Sequence, residues 1–455
     1  MSKRLVVIGG NAAGLSAASK AKRVMPGLEV TVFEHTGFVS YGSCGLPYFV
    51  GDMIKKPEDL VSLTARQLTE KRGIATYLGH EVLAIDRTGK QVQVRDMQSG
   101  QVFSQGYDYL VVSTGATPIV PSLPGVDFAG VHVLRSVEDG ISLKQKVKSG
   151  SRKAIIIGGG LIGLEVAEQL KLFGLEVDIV EALDRLIPTF EPTYGNELMD
   201  VLKRNGITVH LNSRAMRILG DDKVRGVELS DGSIVEGDLV LISIGVMPNS
   251  KLARECGLDL GYKGGIVVDE RMRTSDPAIW ACGDCVQMTH ILSKKSCYIP
   301  MGTTANKQGR IAGSDIVGEQ VSFKGVLGSQ VTKVFDLYLA ATGLSVAQAQ
   351  EAGFDAVSSS IEKNDLASYY PGGGLNKITL VLDQVDGRLL GANGIGTASI
   401  AGRMNVLVAA ITMGMTVEAL NELDFVYSPS SAPVYDPLLI AASQAMKLVK
   451  GKSHG

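Results

Sequence analysis

Residues 4–14, RLVVIGGNAAG, and residues 153–163, KAIIIGGGLIG, carry one pattern twice. In each copy a short, mostly apolar run breaks into glycines, and a helical stretch follows, Leu15–Val24 in the first and Leu164–Phe173 in the second. A second apolar run closes each copy: Glu29–Phe33 before Glu34, and Glu176–Val180 before Glu181. A strand, a glycine turn, a helix and a strand ending in an acid make a unit suited to a nucleotide. The glycines let the backbone approach a pyrophosphate, the helix N-terminus favours its charge, and the acid meets a ribose hydroxyl. Gly158, Gly160 and Gly163 complete G-x-G-x-x-G, whereas the first copy has Asn11 between Gly9 and Gly14. Two such units predict two nucleotides on one chain; the bland alternative is one working unit and one decayed copy.

Outward from these units, three more apolar runs end in small residues. Tyr109–Thr114 leads to Gly115, Leu239–Ile244 to Gly245, Pro248 and Asn249, and Ala278–Ala281 to Gly283 and Asp284. Runs of this kind suit the C-terminal edge of a parallel sheet, where such folds bind ligands. The stretch Gly302–Ile316 reads as a helix whose small first residues aim N–H groups at a cofactor. From Val326 the texture changes to antiparallel strands over Val331–Leu339, Phe354–Ser359, Lys377–Asp383 and Leu389–Asn393. Helical stretches follow over Met404–Met413, Thr416–Leu423 and Leu438–Val449, with a fraying tail expected at Gly451–Gly455.

The bulk numbers exclude more than they assign. With 455 residues, 45% hydrophobic and 20% charged, the chain is neither disordered nor fibrous, and it is long enough for several cores. A net charge of -2 advertises no nucleic-acid partner, so an anionic ligand would need a local basic patch. No apolar run reaches the roughly 18–20 residues of a membrane span, and Met1–Lys3 leads directly into Leu5–Ile8, which reads as a first strand rather than a secretion signal. Five cysteines, an odd and sparse set, build no disulfide scaffold and point to a reducing cytoplasm.

Cys44 stands out among them. It lies in Ser40-Tyr41-Gly42-Ser43-Cys44-Gly45-Leu46-Pro47-Tyr48, just past the acid that ends the first unit, and Pro47 suits the first turn of a short helix. A thiolate near a helix N-terminus is favoured, as a nucleophile at neutral pH requires. The bland reading is a small buried hydrophobe, the state of most free cysteines.

Through Ser40–Gly51, the stretch Ser113–Ala116, both nucleotide units, Gly245–Asn249, Ala281–Asp284 and Gly302–Arg310, the chain resembles the flavoprotein pyridine nucleotide–disulfide reductases over essentially its whole length. It is most similar to their single-cysteine branch, which holds coenzyme A–disulfide reductase, NADH-dependent persulfide reductase, NADH peroxidase and NADH oxidase. The resemblance implies an α/β fold with two Rossmann-like domains, as in glutathione reductase, and a C-terminal α+β dimerisation domain. It divides the chain into 1–150 and 241–325 for FAD, 151–240 for NAD(P)H and 326–455 for dimerisation. To the FAD site it assigns Gly9, Asn11, Ala12, Ala13, Gly14, Glu34, His35, Ser40, Ser43, Val82, Thr114, Gly115, Asp284, Gly302, Thr303 and Ala305, with Asp284 on the ribityl chain. To the NAD(P)H site it assigns Gly158, Gly160, Gly163, Glu165, Glu181 and Gly245, with Glu165 as the acid near the nicotinamide and Glu168 ordering the wall beside it.

The resemblance also implies a homodimer in which Tyr427, with Tyr369 or its neighbour Tyr370, enters the partner's active site beside Cys44. Tyr435 reads as interface packing. The expected reaction takes electrons from NADH through FAD to Cys44, and on to coenzyme A disulfide, coenzyme A persulfide or a related small sulfur substrate. Ser40 and Tyr48 match the coenzyme A–disulfide reductase pattern, and Lys20, Lys22, Arg23, Arg66 and Lys71 are candidates for the coenzyme A phosphates. Glu181 would repel a 2′-phosphate, favouring NADH with NADPH possible. Peroxidase and oxidase members carry a histidine where this chain has Ala12, which weakens an oxidase cycling Cys44 through a sulfenic acid. A redox-sensing flavoprotein that passes electrons to a protein partner is the reading from another class. Cys282-Gly283-Asp284-Cys285 has C-x-x-C spacing, yet no second pair accompanies it and its Gly-Asp belongs to the expected flavin turn, so no metal is expected.

Overall fold

A computed structural model describes residues 2–450; the expected fraying of Gly451–Gly455 lies outside the described residues. Its first unit is β1 (Arg4–Ile8), α1 (Ala12–Val24) and β2 (Glu29–Glu34), joined by β3 (Ile74–Leu78), β4 (Tyr109–Val112) and β9 (Ile279–Ala281). These strands form one parallel sheet in the order β9-β4-β1-β2-β3. The second unit repeats the plan with β5 (Lys153–Ile157), α3 (Leu161–Phe173), β6 (Glu176–Val180), β7 (Ile207–His210) and β8 (Leu239–Ile242). Its order is β7-β6-β5-β8 with the short strand Val131–His132 at the edge, again all parallel.

The unbroken apolar runs explain the arrangement. A parallel sheet covered on both faces needs strands without a polar side, and Leu5, Val6 and Val7 are no more than 1% exposed. Each such side chain contributes on the order of 1.5–3 kcal/mol by leaving water, an upper bound.

The helices begin earlier than their apolar periodicity suggests, at Ala12 and Leu161 rather than Leu15 and Leu164. The last loop residues form the first helical turn, where N–H groups have no partner inside the helix. Val131–His132 completes the second sheet although it lies within the stretch expected to serve the first domain. A two-stranded link, Ala116–Pro118 with Val246–Pro248, joins the units.

The C-terminal sheet is antiparallel: β10 (Gln330–Val334), β11 (Leu337–Gly343), β14 (Leu389–Gly396), β13 (Leu375–Asp383) and β12 (Ala356–Asn364), in that spatial order. The single strand expected over Val331–Leu339 is a hairpin. Its two-residue turn, Phe335–Asp336, puts Phe335 at φ +55°, and it lacks the Asn-Gly or Asp-Gly pair that marks such a turn in sequence. Helices α5 (Ser399–Thr412) and α6 (Pro437–Met446) cover this sheet with Ile400, Leu407, Leu438 and Ala442. Helix α4 (Gly302–Ile316) matches its expected span and packs along α1. A Cβ on Gly309 or Gly313 would lie 2.1 or 2.4 Å from the carbonyl oxygens of Ala13 or Ala17, so only glycine allows the approach.

Candidate active site

The first glycine loop is tight because the strand beside it is close. Gly9 has φ +101°, and a Cβ there would fall 2.3 Å from the Ser113 carbonyl oxygen; one on Gly14 would fall 2.0 Å from that of Gly9. The Ser113 hydroxyl donates to the Ile8 carbonyl at 2.7 Å, tying the two strand ends together. Glu34 is buried, and its carboxylate accepts from the N–H of Gly10 at 2.8 Å and of Thr36 at 2.9 Å, with the His35 ring 3.0 Å away. Burial pushes its pKa up, but the His35 and backbone hydrogen bonds outweigh this and hold it below the ordinary value. Val82 is buried, while the side chain of His35 is 69% exposed at the rim.

At the far edge of the same sheet, Gly283 takes φ +87° and donates its N–H to the Gln308 side-chain oxygen at 2.8 Å. Asp284 follows, with Oδ2 2.7 Å from the Arg135 guanidinium. Asp284 Oδ1 and Gln308 Nε2 are buried and meet no protein partner. An acceptor and a donor left over inside one cradle fit a polyhydroxyl chain with phosphates, as in FAD. Gly302, Thr303 and Ala305 start α4 beside Gly283, and Ala305 is buried. Thr114 and Asn249 exchange hydrogen bonds at 2.6 and 3.0 Å across the link to the second unit, next to Gly115 at φ +70°. Arg135 and Gln308 are residues of this cradle that the sequence reading did not single out; Gln308 lies inside the stretch Gly302–Arg310, and only the folded contacts mark Arg135.

The second loop repeats the first. A Cβ on Gly158 (φ +110°) would lie 2.4 Å from the Ser243 carbonyl oxygen, and one on Gly163 would lie 2.3 Å from that of Gly158. Glu181 accepts from the Gly159 N–H at 2.7 Å, as Glu34 does from Gly10. Gly160 has open space around it, and Gly245 sits at φ +112° past the strand end. On α3, the Glu165 carboxylate accepts from the Thr332 hydroxyl at 3.1 Å. Glu168 is buried against Lys333 at 2.9 Å and the Phe335 N–H at 2.8 Å, so it fastens the C-terminal hairpin to the helix.

Cys44 is exposed in a short 3-10 turn, Ser43–Gly45, that runs into α2 (Leu46–Val50). Pro47 lies in the first turn of α2, and Leu46, Phe49 and Val50 are buried. The loop hangs from the first nucleotide unit through the Ser40 N–H, which donates to the Gly10 carbonyl at 2.9 Å, and Ser40 itself takes φ +54°. The Gly42 N–H to Leu60 carbonyl bond of 2.9 Å holds its other side. Burial chiefly, and then the charges of Glu165 and Glu168, push the Tyr48 pKa up.

Beside this loop a cavity of about 400 Å³ is lined by Ser40, Tyr41, Gly42, Lys20, Arg23 and Arg310, among others. Lys20 pairs with Glu319 at 2.8 Å, whereas the guanidinium groups of Arg23 and Arg310 have no hydrogen bond or ion pair among the described residues. Lys22 spends its ammonium on the carbonyls of Pro26 and Leu28 at 2.8 and 2.7 Å. Arg66 pairs with Glu70 on the helix Ala65–Arg72, which also carries Lys71; neither lines the cavity. Arg310 was not foreseen from sequence.

Tyr369 and Tyr427 meet hydroxyl to hydroxyl at 3.1 Å on the C-terminal domain, and both are exposed, as are Tyr370 and Tyr435. Cys282 and Cys285 are fully buried. Burial raises both thiols, Cys285 to about 11, which suits small core residues rather than a redox pair. Among the described residues no three of His, Cys, Asp and Glu cluster as a metal site, and no helix is long and apolar enough to cross a membrane.

Comparison with known proteins agrees with this geometry. The family "Pyridine nucleotide-disulphide oxidoreductase" matches residues 3–309, and its dimerisation domain matches residues 329–437. An NAD(P)H sulfur oxidoreductase (CoA-dependent) of Pyrococcus furiosus is 36% identical over 97% of this chain and 98% of its own. An NADH oxidase of Methanocaldococcus jannaschii is 34% identical over 99% and 100%. The solved NAD-dependent persulfide reductase from A. fulgidus superposes with a TM-score of 0.94 at 37% identity, covering 98% of this chain and 83% of that one. Both glycine-loop units lie within the first matched stretch and the C-terminal sheet within the second or at its bounds, and the chain belongs to the pyridine nucleotide–disulphide oxidoreductase family.

Proposed function

We propose that the protein is an FAD-dependent NAD(P)H oxidoreductase that reduces coenzyme A disulfide, coenzyme A persulfide or a related small sulfur compound through Cys44. The carrying observation is the exposed thiol on a loop bonded to the first glycine loop, next to a cavity with two unpaired guanidinium groups. Residues 1–150 and 241–325 serve FAD, 151–240 serve the pyridine nucleotide, and 326–455 pair two copies in the cytoplasm. Bound FAD supplies two-electron transfer between a nicotinamide and a sulfur.

The chain's own residues do the rest. Arg23 and Arg310, with Lys20, hold the phosphates of coenzyme A and direct its thiol end toward Cys44. The Cys44 thiolate attacks one sulfur of the substrate S–S bond, forming a mixed disulfide and releasing the other sulfur as a thiolate. Two electrons then cleave the mixed disulfide, restoring Cys44 and freeing the second thiol. Tyr427 of the partner subunit, steadied by Tyr369, protonates the leaving thiolate. The exposure of both hydroxyls on the dimerisation domain supports this placement. Glu181, held at the second loop by the Gly159 N–H, favours NADH.

Cys44→Ala tests the reading. The variant is expected to keep its FAD and its reduction by NADH, and to lose thiol release from coenzyme A disulfide by at least about a thousandfold, the scale for losing a nucleophile. Full turnover of the sulfur substrate in that variant sinks the assignment. Water or peroxide as the main product of the wild type would move it to the oxidases.

A further inference from the structure

The buried charges of the C-terminal domain lie at the roots of the loops that carry Tyr369 and Tyr427. Arg403, on α5, is 7% exposed, and Asp365 and Asp436 are each 6% exposed. A buried guanidinium is tolerated only when its donors are matched, and this one is. Nε lies 3.2 and 3.1 Å from the two carboxylate oxygens of Asp436, and Nη2 lies 2.8 Å from one of them. Nη1 donates to the Ser399 hydroxyl at 2.7 Å, and Nη2 also to the Asp365 carbonyl at 3.2 Å.

Both aspartates root a tyrosine loop. The Asp365 carboxylate accepts from the Gly374 N–H at 2.8 Å and the Thr397 hydroxyl at 2.5 Å, closing the loop 365–374 that carries Tyr369. Asp436 ends the loop that carries Tyr427 and caps α6 through the Leu438 N–H at 2.8 Å. The loops touch again between the Ala367 N–H and the Pro429 carbonyl at 3.4 Å, and at the tyrosine hydroxyls.

We propose that Arg403 is a positioning residue: by gripping Asp436 and the Asp365 backbone together it fixes the spacing of the two loops and so holds the Tyr427 hydroxyl against Tyr369. A buried ion pair is a poor source of net stability, because apolar replacements of similar volume often do as well. Its planar fork sets direction and distance, which a lysine cannot reproduce. The role in turnover rests on the reading that brings this pair to the partner subunit's Cys44.

Arg403→Lys in the FAD-loaded dimer is the test. Dimer mass, FAD content and the rate of flavin reduction by NADH are expected to stay as in the wild type. Turnover with coenzyme A disulfide is expected to fall about tenfold through misplacement of a catalytic group. In a Tyr427→Phe background the same change is expected to do nothing further. The hydrogen bond to Tyr369 holds the Tyr427 phenol above its ordinary pKa, so 3-fluorotyrosine placed at 427 should titrate at lower pH once Arg403 is changed. If Arg403→Lys does not fold, Asp365→Asn, which weakens one loop closure, carries the same expectations. An unchanged fluorotyrosine titration, or a turnover loss that adds in full to Tyr427→Phe, overturns the proposal. Wild-type turnover by Tyr427→Phe itself would remove the active-site reading, while the titration still decides the clamp.

Discussion

The two nucleotide units of one chain solve the same problem at their loops and different problems behind them. At the loops, the first and last glycines are forced by the protein: a Cβ at Gly9, Gly14, Gly158 or Gly163 would lie 2.0–2.4 Å from a backbone oxygen. At the middle position the protein demands nothing. A Cβ on Gly160 meets no atom within 4 Å, and the first unit carries Asn11 there, so any pressure for glycine comes from the ligand. Behind the loops, α1 is sealed by α4 through glycines, while α3 faces the C-terminal hairpin with Glu165 and Glu168. The proposed roles follow the same division, FAD on the first unit and the pyridine nucleotide on the second.

The sharpest way to break this contrast is to wedge each loop in turn. Gly14→Val and Gly163→Val each force a side chain into a backbone oxygen, a strain of about 1–3 kcal/mol or more. The first is expected to purify without FAD, the second to keep FAD and lose its reduction by NADH. Equal loss of FAD from both would show that the units are not separate in role.

A smaller effect separates the two acids. Glu181→Gln is expected to lower the preference for NADH over NADPH by about tenfold in kcat/KM, the scale of one lost charged contact. FAD content should stay whole. An unchanged preference places the discrimination elsewhere.

The smallest effect is in stability against pH. Burial pushes the Glu165 carboxyl up, only partly offset by the Thr332 hydroxyl. A raised folded pKa means that ionisation costs stability, a cost absent at acid pH and complete once the pH exceeds that pKa. Glu165→Gln should therefore raise Tm by about 1 °C near neutrality and leave it unchanged at acid pH. Glu34 runs the other way. Its lowered pKa gives stability present above the ordinary carboxylate range and lost as pH falls through the folded value, so Glu34→Gln should lower Tm near neutrality. Thermal scans of both variants across pH check the pair of signs.

The residues themselves told unequal amounts. The strands, the glycine loops and Cys44 were legible because each is a local pattern: an apolar run, a turn that admits no Cβ, a cysteine between glycines. The hairpin at Phe335 was not, since its turn residues Phe335 and Asp336 are not the glycine-containing pair that marks a tight hairpin. Basic residues were legible as a group but not singly. Lys22 looks like Arg23 in sequence, yet one is spent on loop carbonyls beyond the helix and the other lines the cavity.

By itself the amino-acid order determined that two nucleotide units and a third, antiparallel domain would form, because backbone sterics and apolar periodicity act between near neighbours. Only the tertiary structure decided that Arg135 joins Asp284 and Gln308 joins Gly283, that Arg310 joins Arg23 at one cavity, and that Arg403 ties both tyrosine loops. Those partners lie far apart along the chain, and a charge finds its match by distance in space, which no spacing along the chain records.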